Sequence, residues 1–262
     1  DFTTSLNNGP YAATNLGRAF QEAAAANRKD YVAFVDYEAY TPSYGDPASF
    51  LASPIFDGDR GPNTGGMGAY SPPPVVTAEV ERKIVERVIE PTLQGMAREG
   101  RPFRGALFVG LMIVDGEPMV LEYNTRFGDP ECQTLMTRWK GSILPLIQGS
   151  ARGDFAGLVP EWEAPASLCV VLASGGYPGS YEKGKPIHGL DGAAALPQVM
   201  VFHAGTSVDG DQVVTSGGRV LSVTAIGQTI DEAAERAYAA ADRIEFEGKQ
   251  LRRDIGYRAR TR

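Results

Sequence analysis

The sequence predicts an α+β fold, on three observations. An apolar, β-rich run at 105–114 is joined through Asp115-Gly116 to a returning run at 118–124, a hairpin pattern. A long amphipathic helix begins at Thr77, with Val80, Ile84 and Val88 on one stripe and Val85 and Ile89 beside it. Beyond a Gly-, Pro- and acid-rich stretch at 153–165, short strand runs lead into a single capped helix.

In chain order, an Ala-rich helix is expected over roughly 16–26 and a strand over 31–37. The segment 57–72, DGDRGPNTGGMGAYSP, holds so many glycines that a loop without regular structure is expected. Thr77 caps the next helix, Pro91 should kink it, and Gly100 marks its end. After the hairpin, Gly128-Asp129-Pro130-Glu131 reads as a turn, followed by one helix over about 130–148 carrying Leu135, Trp139, Ile143 and Leu146. Strands follow at 168–173, 199–203, 212–215 and 220–225. A helix then runs from Ile230 to about Arg243, its start marked by the capping box Thr229…Glu232.

Composition narrows the function class. The chain has 262 residues, 43% of them apolar, enough for one or two cores. A net charge of −7 argues against a nucleic-acid binder with a general basic surface. No apolar run approaches the roughly 18 residues of a membrane span, and no signal segment is seen at the N-terminus, so a cytoplasmic location is expected. With two cysteines, Cys132 and Cys169, and two histidines, His188 and His203, neither a disulfide framework nor a zinc site is expected. Ser174-Gly175-Gly176 resembles a phosphate loop, but no Gly-Lys-Ser/Thr follows, and it is read as a structural turn.

Two segments do not read as core packing. On the returning strand, alternation places Glu122, Asn124 and Arg126 on one face and Leu121 and Tyr123 on the other. A carboxylate beside an amide oxygen offers hard ligands suited to Mg²⁺, and an Arg one step on can fork onto a phosphate. Asp129 and Glu131 are expected close by, adding negative charge for a metal, Arg126 or Arg138 to answer. In 57–72, successive glycines let main-chain N–H groups converge on an anion or let a ligand approach closely. The residues alone equally fit a solvated strand face and an ordinary turn.

GPNTGGMGAYSP and LEYNTRFGDPECQ closely resemble the phosphoribosylamine–glycine ligase (glycinamide ribonucleotide synthetase) family of ATP-grasp enzymes. So do ASLCVVLASGGYPGSYEKGKPIHGL from Ala166, VFHAGT from Val201, VVTSGGRVLSVTAIGQT from Val213 and RRDIGYRA from Arg252, in the family's order. The likeness runs from about Asp57 to Arg262. It implies the C-terminal half of an ATP-grasp (57–155) followed by a small β-rich C-terminal domain (156–262). It also implies ATP-dependent ligation of glycine to 5-phosphoribosylamine through a glycyl phosphate, giving glycinamide ribonucleotide, ADP and phosphate in purine synthesis.

By the same resemblance Glu122 and Asn124 hold Mg²⁺ (or Mn²⁺), and Arg126 and Asp129 serve catalysis, Arg126 beside the transferring phosphate. Asp57, Asp59, Asn63, Thr64, Gly65 and Gly66 form the loop that meets glycine and phosphoribosylamine. The implied partners are these small molecules and ATP, with no nucleic acid or membrane. Residues 1–56 match no family motif: they hold one lysine, Lys29, and Phe56 stands where the family usually has Gly. An alternative is therefore an inactive fragment, or one that acts with a chain supplying the missing N-terminal lobe; a more distant one is another ATP-grasp ligase.

Overall fold

A computed structural model describes residues 32–40, 53–154, 158, 161–162 and 166–260. The helix expected over 16–26 lies outside the described residues, as does most of 153–165. The strands are β1 Val32–Tyr40, β2 Ser53–Phe56, β3 Arg60–Thr64, β4 Gly68–Ser71, β5 Arg104–Val114, β6 Glu117–Asn124, β7 Ala166–Ala173, β8 Val199–His203, β9 Thr206–Asp209, β10 Gln212–Thr215 and β11 Arg219–Gly227. The helices are α1 Ala78–Ile84, α2 Glu90–Arg98, α3 Glu131–Arg138, α4 Leu144–Arg152, α5 Leu190–Ala194, α6 Ile230–Ala241 and α7 Tyr257–Arg260, with a π-helical stretch Val85–Ile89 joining α1 to α2.

These elements form two compact units that interleave along the chain. Among the described residues, one holds β1, 72–128 and the stretch from 139 to 162, and the other holds 53–71, 129–138 and 166–260. This departs from the linear division at 155/156 that the sequence suggests. The glycine-rich segment and the turn after β6 both belong with the C-terminal strands.

In the first unit, β5 is central in a sheet ordered β1-β5-β6, with β1 parallel and β6 antiparallel to it. The turn is as expected: Asp115 and Gly116 both take positive φ, 52° and 77°, which matches the twist of the strands. Leu107, Val109, Leu111 and Ile113 on one face of β5 pack against Val80, Ile84, Val85, Val88, Ile89 and Leu93. Thr77 caps α1 by accepting from the Val80 N–H. The kink expected at Pro91 takes the form of the π stretch just before it. Pro91 has no N–H to give, and its ring would crowd the carbonyl four residues back, so the helix widens ahead of it.

The single helix expected over 130–148 is instead two, α3 and α4, in different units. Between them Trp139 forms a bridge with Trp162, their rings edge-on at 5.4 Å, and Lys140 N–H donates to the Glu161 carbonyl. This part of the stretch expected as a linker is folded back onto the first unit.

In the second unit, an antiparallel sheet runs β4-β7-β11-β8. Every residue of β7 is buried, as its unbroken apolar run requires of a central strand covered on both faces. The α6 helix packs with Ala233, Ala234, Ala237, Ala240 and Ala241 around Leu168, Val170, Leu172, Leu221 and Val223, the small side chains permitting close approach. Thr229 caps α6 as expected, accepting from the Glu232 N–H, while the Glu232 carboxylate reaches one residue past the cap and accepts from the Gln228 N–H.

The glycine-rich segment is not a free loop. It supplies the turn and second strand of the β2–β3 hairpin and then β4, which extends the sheet beside β7. Gly68 makes that pairing possible, since a Cβ there would lie 2.6 Å from the Cys169 carbonyl oxygen. Cys169 is fully buried, which pushes its thiol up to about 12. Neither cysteine is in a disulfide.

Candidate functional site

In the first unit Glu122 and Asn124 sit near the end of β6, opposite Gly110 and Phe108 of β5. They share a face, and the Asn124 amide donates to Glu122 Oε1 at 3.0 Å. The alternation is not the simple one expected, because a bulge gives Leu121 no partner of its own between Val120 and Glu122. The opposite face looks toward the helices: the Tyr123 hydroxyl meets Thr92 Oγ1 at 2.9 Å. Gly110 is the residue that seats Glu122. A Cβ there would come 2.9 Å from Glu122 Cγ, so the carboxylate lies across the bare backbone of the neighbouring strand. A lone Gly inside an otherwise apolar strand run was the available signal for it.

With its amide nitrogen turned to Glu122, Asn124 leaves its carbonyl oxygen to act as a ligand beside the carboxylate. This donor set suits a hard cation. Among the described residues no cluster of three or more His, Cys, Asp or Glu could hold a metal. A Mg²⁺ here would complete its shell with phosphate oxygens and water, its usual habit. Arg126 is exposed and donates to the Phe127 carbonyl at 2.9 Å.

Asp129 belongs to the second unit, and there its charge is answered by Arg219, a residue not named for it from sequence. Arg219 Nη2 donates to Asp129 Oδ2 at 2.9 Å, Nη1 donates to the Asp129 carbonyl at 2.6 Å, and Gln133 donates to Oδ1 at 3.1 Å. Arg138 is buried and spends Nη1 on Ser71 Oγ at 2.7 Å.

Asp57 and Asp59 lie in the turn of the β2–β3 hairpin, gripped by the C-terminal segment from Arg252. Asp57 Oδ1 accepts from the Arg253 N–H at 2.7 Å, and Asp254 Oδ2 accepts from the Gly58 N–H at 2.8 Å. Asp59 accepts from Arg252 at 2.9 Å, from the Tyr257 hydroxyl at 2.8 Å, and from Arg258. Arg252 is buried and also forks onto Asp254 at 2.7 and 2.9 Å. Burial works against its charge, yet the bonds to Asp254 and Asp59 prevail and hold its pKa above the ordinary value. Asp254 is held below its ordinary range: burial opposes its charge, but the Arg252 guanidinium and the Gly58 N–H outweigh it.

Asn63 lies exposed on β3, opposite Pro54, and Thr64 is half-buried. The main-chain N–H groups expected to converge on an anion are already spent. The Gly65 N–H donates to the Tyr177 hydroxyl at 3.1 Å, and the Gly66 N–H to Thr64 Oγ1 at 3.1 Å. Tyr177 and Arg219 were not singled out from sequence; both follow Gly-Gly pairs, the sign of a close backbone approach that could have marked them.

Comparison with known proteins bears on both units. Residues 52–132 match the family model described as phosphoribosylglycinamide synthetase, ATP-grasp (A) domain, and residues 167–258 match its C domain. The phosphoribosylamine–glycine ligase of Rhizobium meliloti is 53% identical over 208 residues, which is 79% of this chain and 49% of that protein. The Vibrio cholerae ligase is 53% identical over 209 residues, 79% of this chain and 48% of its own. A crystal structure of the Thermotoga maritima ligase superposes with a TM-score of 0.68 at 39% identity, covering 77% of this chain and 49% of that one. The chain thus spans about half the length of the curated relatives it matches. On these matches, which run in the same order and cover both units, the chain belongs to the phosphoribosylglycinamide synthetase family of ATP-grasp ligases.

Proposed function

We propose that this chain carries out, or contributes the catalytic and C-terminal parts of, the ATP-dependent joining of glycine to 5-phosphoribosylamine. The products are glycinamide ribonucleotide, ADP and phosphate, formed in purine synthesis by way of a glycyl phosphate. The observation that carries the reading is the Glu122–Asn124 pair seated over Gly110, in a chain about half identical to ligases of that name.

Chemistry of this kind asks the protein mainly for positioning and for charge neutralisation at the transferring phosphoryl group. Glu122 and Asn124 are the residues that would hold Mg²⁺ (or Mn²⁺). Bound there, the cation would neutralise phosphate charge. Arg126 supplies a planar fork to the phosphoryl oxygens. Asn63 and Thr64 are the groups we assign to the small substrates, with Gly65 and Gly66 setting the backbone that carries them. Asp57 and Asp59 enter the reading as anchors of the hairpin, and Asp129 as the anchor of Arg219, because their carboxylates are already engaged.

The test is ADP release by the purified chain with Mg-ATP, glycine and freshly generated phosphoribosylamine, each omitted in turn. Release that requires all three is expected. A folded chain that releases no ADP would be one that contributes only those parts, and release without glycine would overturn the assignment.

A further inference from the structure

Within the second unit, one peptide is held from both ends. The Gly65 N–H donates to the Tyr177 hydroxyl, and the Gly65 carbonyl accepts from Arg219 Nη1 at 2.7 Å. The same Nη1 lies 3.5 Å from the Gly66 carbonyl and 2.6 Å from that of Asp129, while Nη2 is fixed on the Asp129 carboxylate. These partners stand 90 to 154 positions from Arg219 in sequence.

The glycines are what let the two side chains in. A Cβ on Gly65 would come 3.2 Å from Arg219 Nη2. A Cβ on Gly66, whose φ is +115°, would come 2.8 Å from Pro130 Cδ. The Tyr177 ring lies directly on Gly218, where a Cβ would be 2.2 Å from Cδ2, and Tyr181 meets it edge-on at 6.4 Å between centroids. Arg219 is no core residue, for its side chain keeps 23% exposure. Its donors go to main-chain carbonyls of two separate turns, an arrangement that fixes the shape of backbone.

We infer that Tyr177 and Arg219 are positioning residues that clamp the Gly65–Gly66 peptide and so hold Asn63 and Thr64 in one arrangement for the small substrate. The inference rests on the substrate role given to that segment above. Both flanking N–H groups are consumed by the clamp and by Thr64, so the ligand is met by the side chains of Asn63 and Thr64, not by an amide nest. A Lys in place of Arg219 would keep the charge but lose the fork that reaches several oxygens at once.

Hydrogen exchange at Gly65 and Gly66 and steady-state kinetics test this with Tyr177→Phe, Arg219→Met and Arg219→Lys in the full chain. Exchange at Gly65 is expected to rise roughly two- to tenfold in Tyr177→Phe and roughly ten- to a hundredfold in Arg219→Met, as the loss of a neutral and a charge-assisted bond implies. The KM for glycine or for phosphoribosylamine should rise by about the same factor, with the KM for ATP and kcat held within about twofold. Arg219→Lys should fall between. A merely structural role would lower kcat through loss of folded enzyme and leave each KM alone. That result overturns the inference, as does unchanged exchange, or raised exchange with unaltered KM. Should Arg219→Met fail to fold, Tyr177→Phe carries the test by the loss of one hydroxyl. Should the wild-type chain by itself release no ADP, the exchange comparison decides the clamp independently of the functional reading.

Discussion

The strand that carries Glu122 and Asn124 is held by its sequence neighbours, whereas the hairpin that carries Asn63 to Gly66 is held from far away. Glu122 pairs with Gly110 across a two-residue turn whose residues specify it. Lys83, on the adjacent helix, fastens that turn by donating to the Gly116 carbonyl at 3.0 Å and to Glu117 at 2.6 Å. The glycine-rich hairpin depends on partners 112 to 199 positions distant: Tyr177, Arg219, Arg252, Arg253, Tyr257 and Arg258. Local pairing makes a ligand pair robust to change elsewhere in the chain. Long-range pairing makes a loop's shape conditional on the whole C-terminal unit being folded.

The largest effect expected from breaking this contrast is at Arg252. Arg252→Ala strands Asp59 and Asp254 without their shared buried cation and should destabilise the second unit by about 3 kcal/mol, the low end of the range for a broken buried pair because both acids keep some exposure. Chemical denaturation would show it, and a change under about 1 kcal/mol would refute the idea that the hairpin hangs on this residue.

Next in size is Glu122→Ala. It should weaken Mg-ATP binding by roughly ten- to a hundredfold, while the melting temperature stays level or rises, since an exposed carboxylate is removed from a polar strand end. Titration of Mg-ATP monitored by calorimetry decides it; unaltered affinity would sink the metal assignment. Gly110→Ala should weaken the same binding by less, about tenfold or under, at an overpacking cost of about 1–2 kcal/mol, because the new methyl forces Glu122 off its seat. If Mg-ATP binds normally to a folded Gly110→Ala protein, the seating role is lost.

The smallest effect is with acid. The folded-state pKa of Asp254 lies below its ordinary 3.8, so its contribution to stability is complete above that value and is lost as pH falls below 3.8 through the folded pKa. Amide exchange at Gly58, whose N–H donates to Asp254, should therefore stay protected at pH 4 and above and open under it, whereas the β5–β6 turn should show no matching step. Opening of the Gly58 amide well above pH 4 would contradict the assignment.

The contrast also explains what could be read in advance. The hairpin turn, the stripe of α1 and its π-helical continuation, the buried run of β7 and the Thr229 cap all follow from residue types at local spacing, and each appears where expected. The segment 57–72 reads as a loop because glycine propensity argues against strands; what overrides it is pairing, of β3 with the adjacent β2 and of β4 with β7, about a hundred residues later. The helix expected over 130–148 broke into α3 and α4 because the chain passes from one unit to the other at Trp139, a crossing no local pattern marks.

Sequence by itself determined the α+β class, the placing of Glu122 and Asn124 on one strand face, and the family resemblance, because alternation on a strand and ordered motifs are properties of near neighbours. Tertiary structure alone decided which polar groups remain available to a ligand. Asp57, Asp59 and Asp129 look alike in sequence to any acid beside a glycine turn, and only folding brings Arg253, Arg252 and Arg219 to their carboxylates. The reason is physical: a charged group is free or spent according to what lies within about 3 Å of it, and in a folded chain those atoms come from anywhere along it.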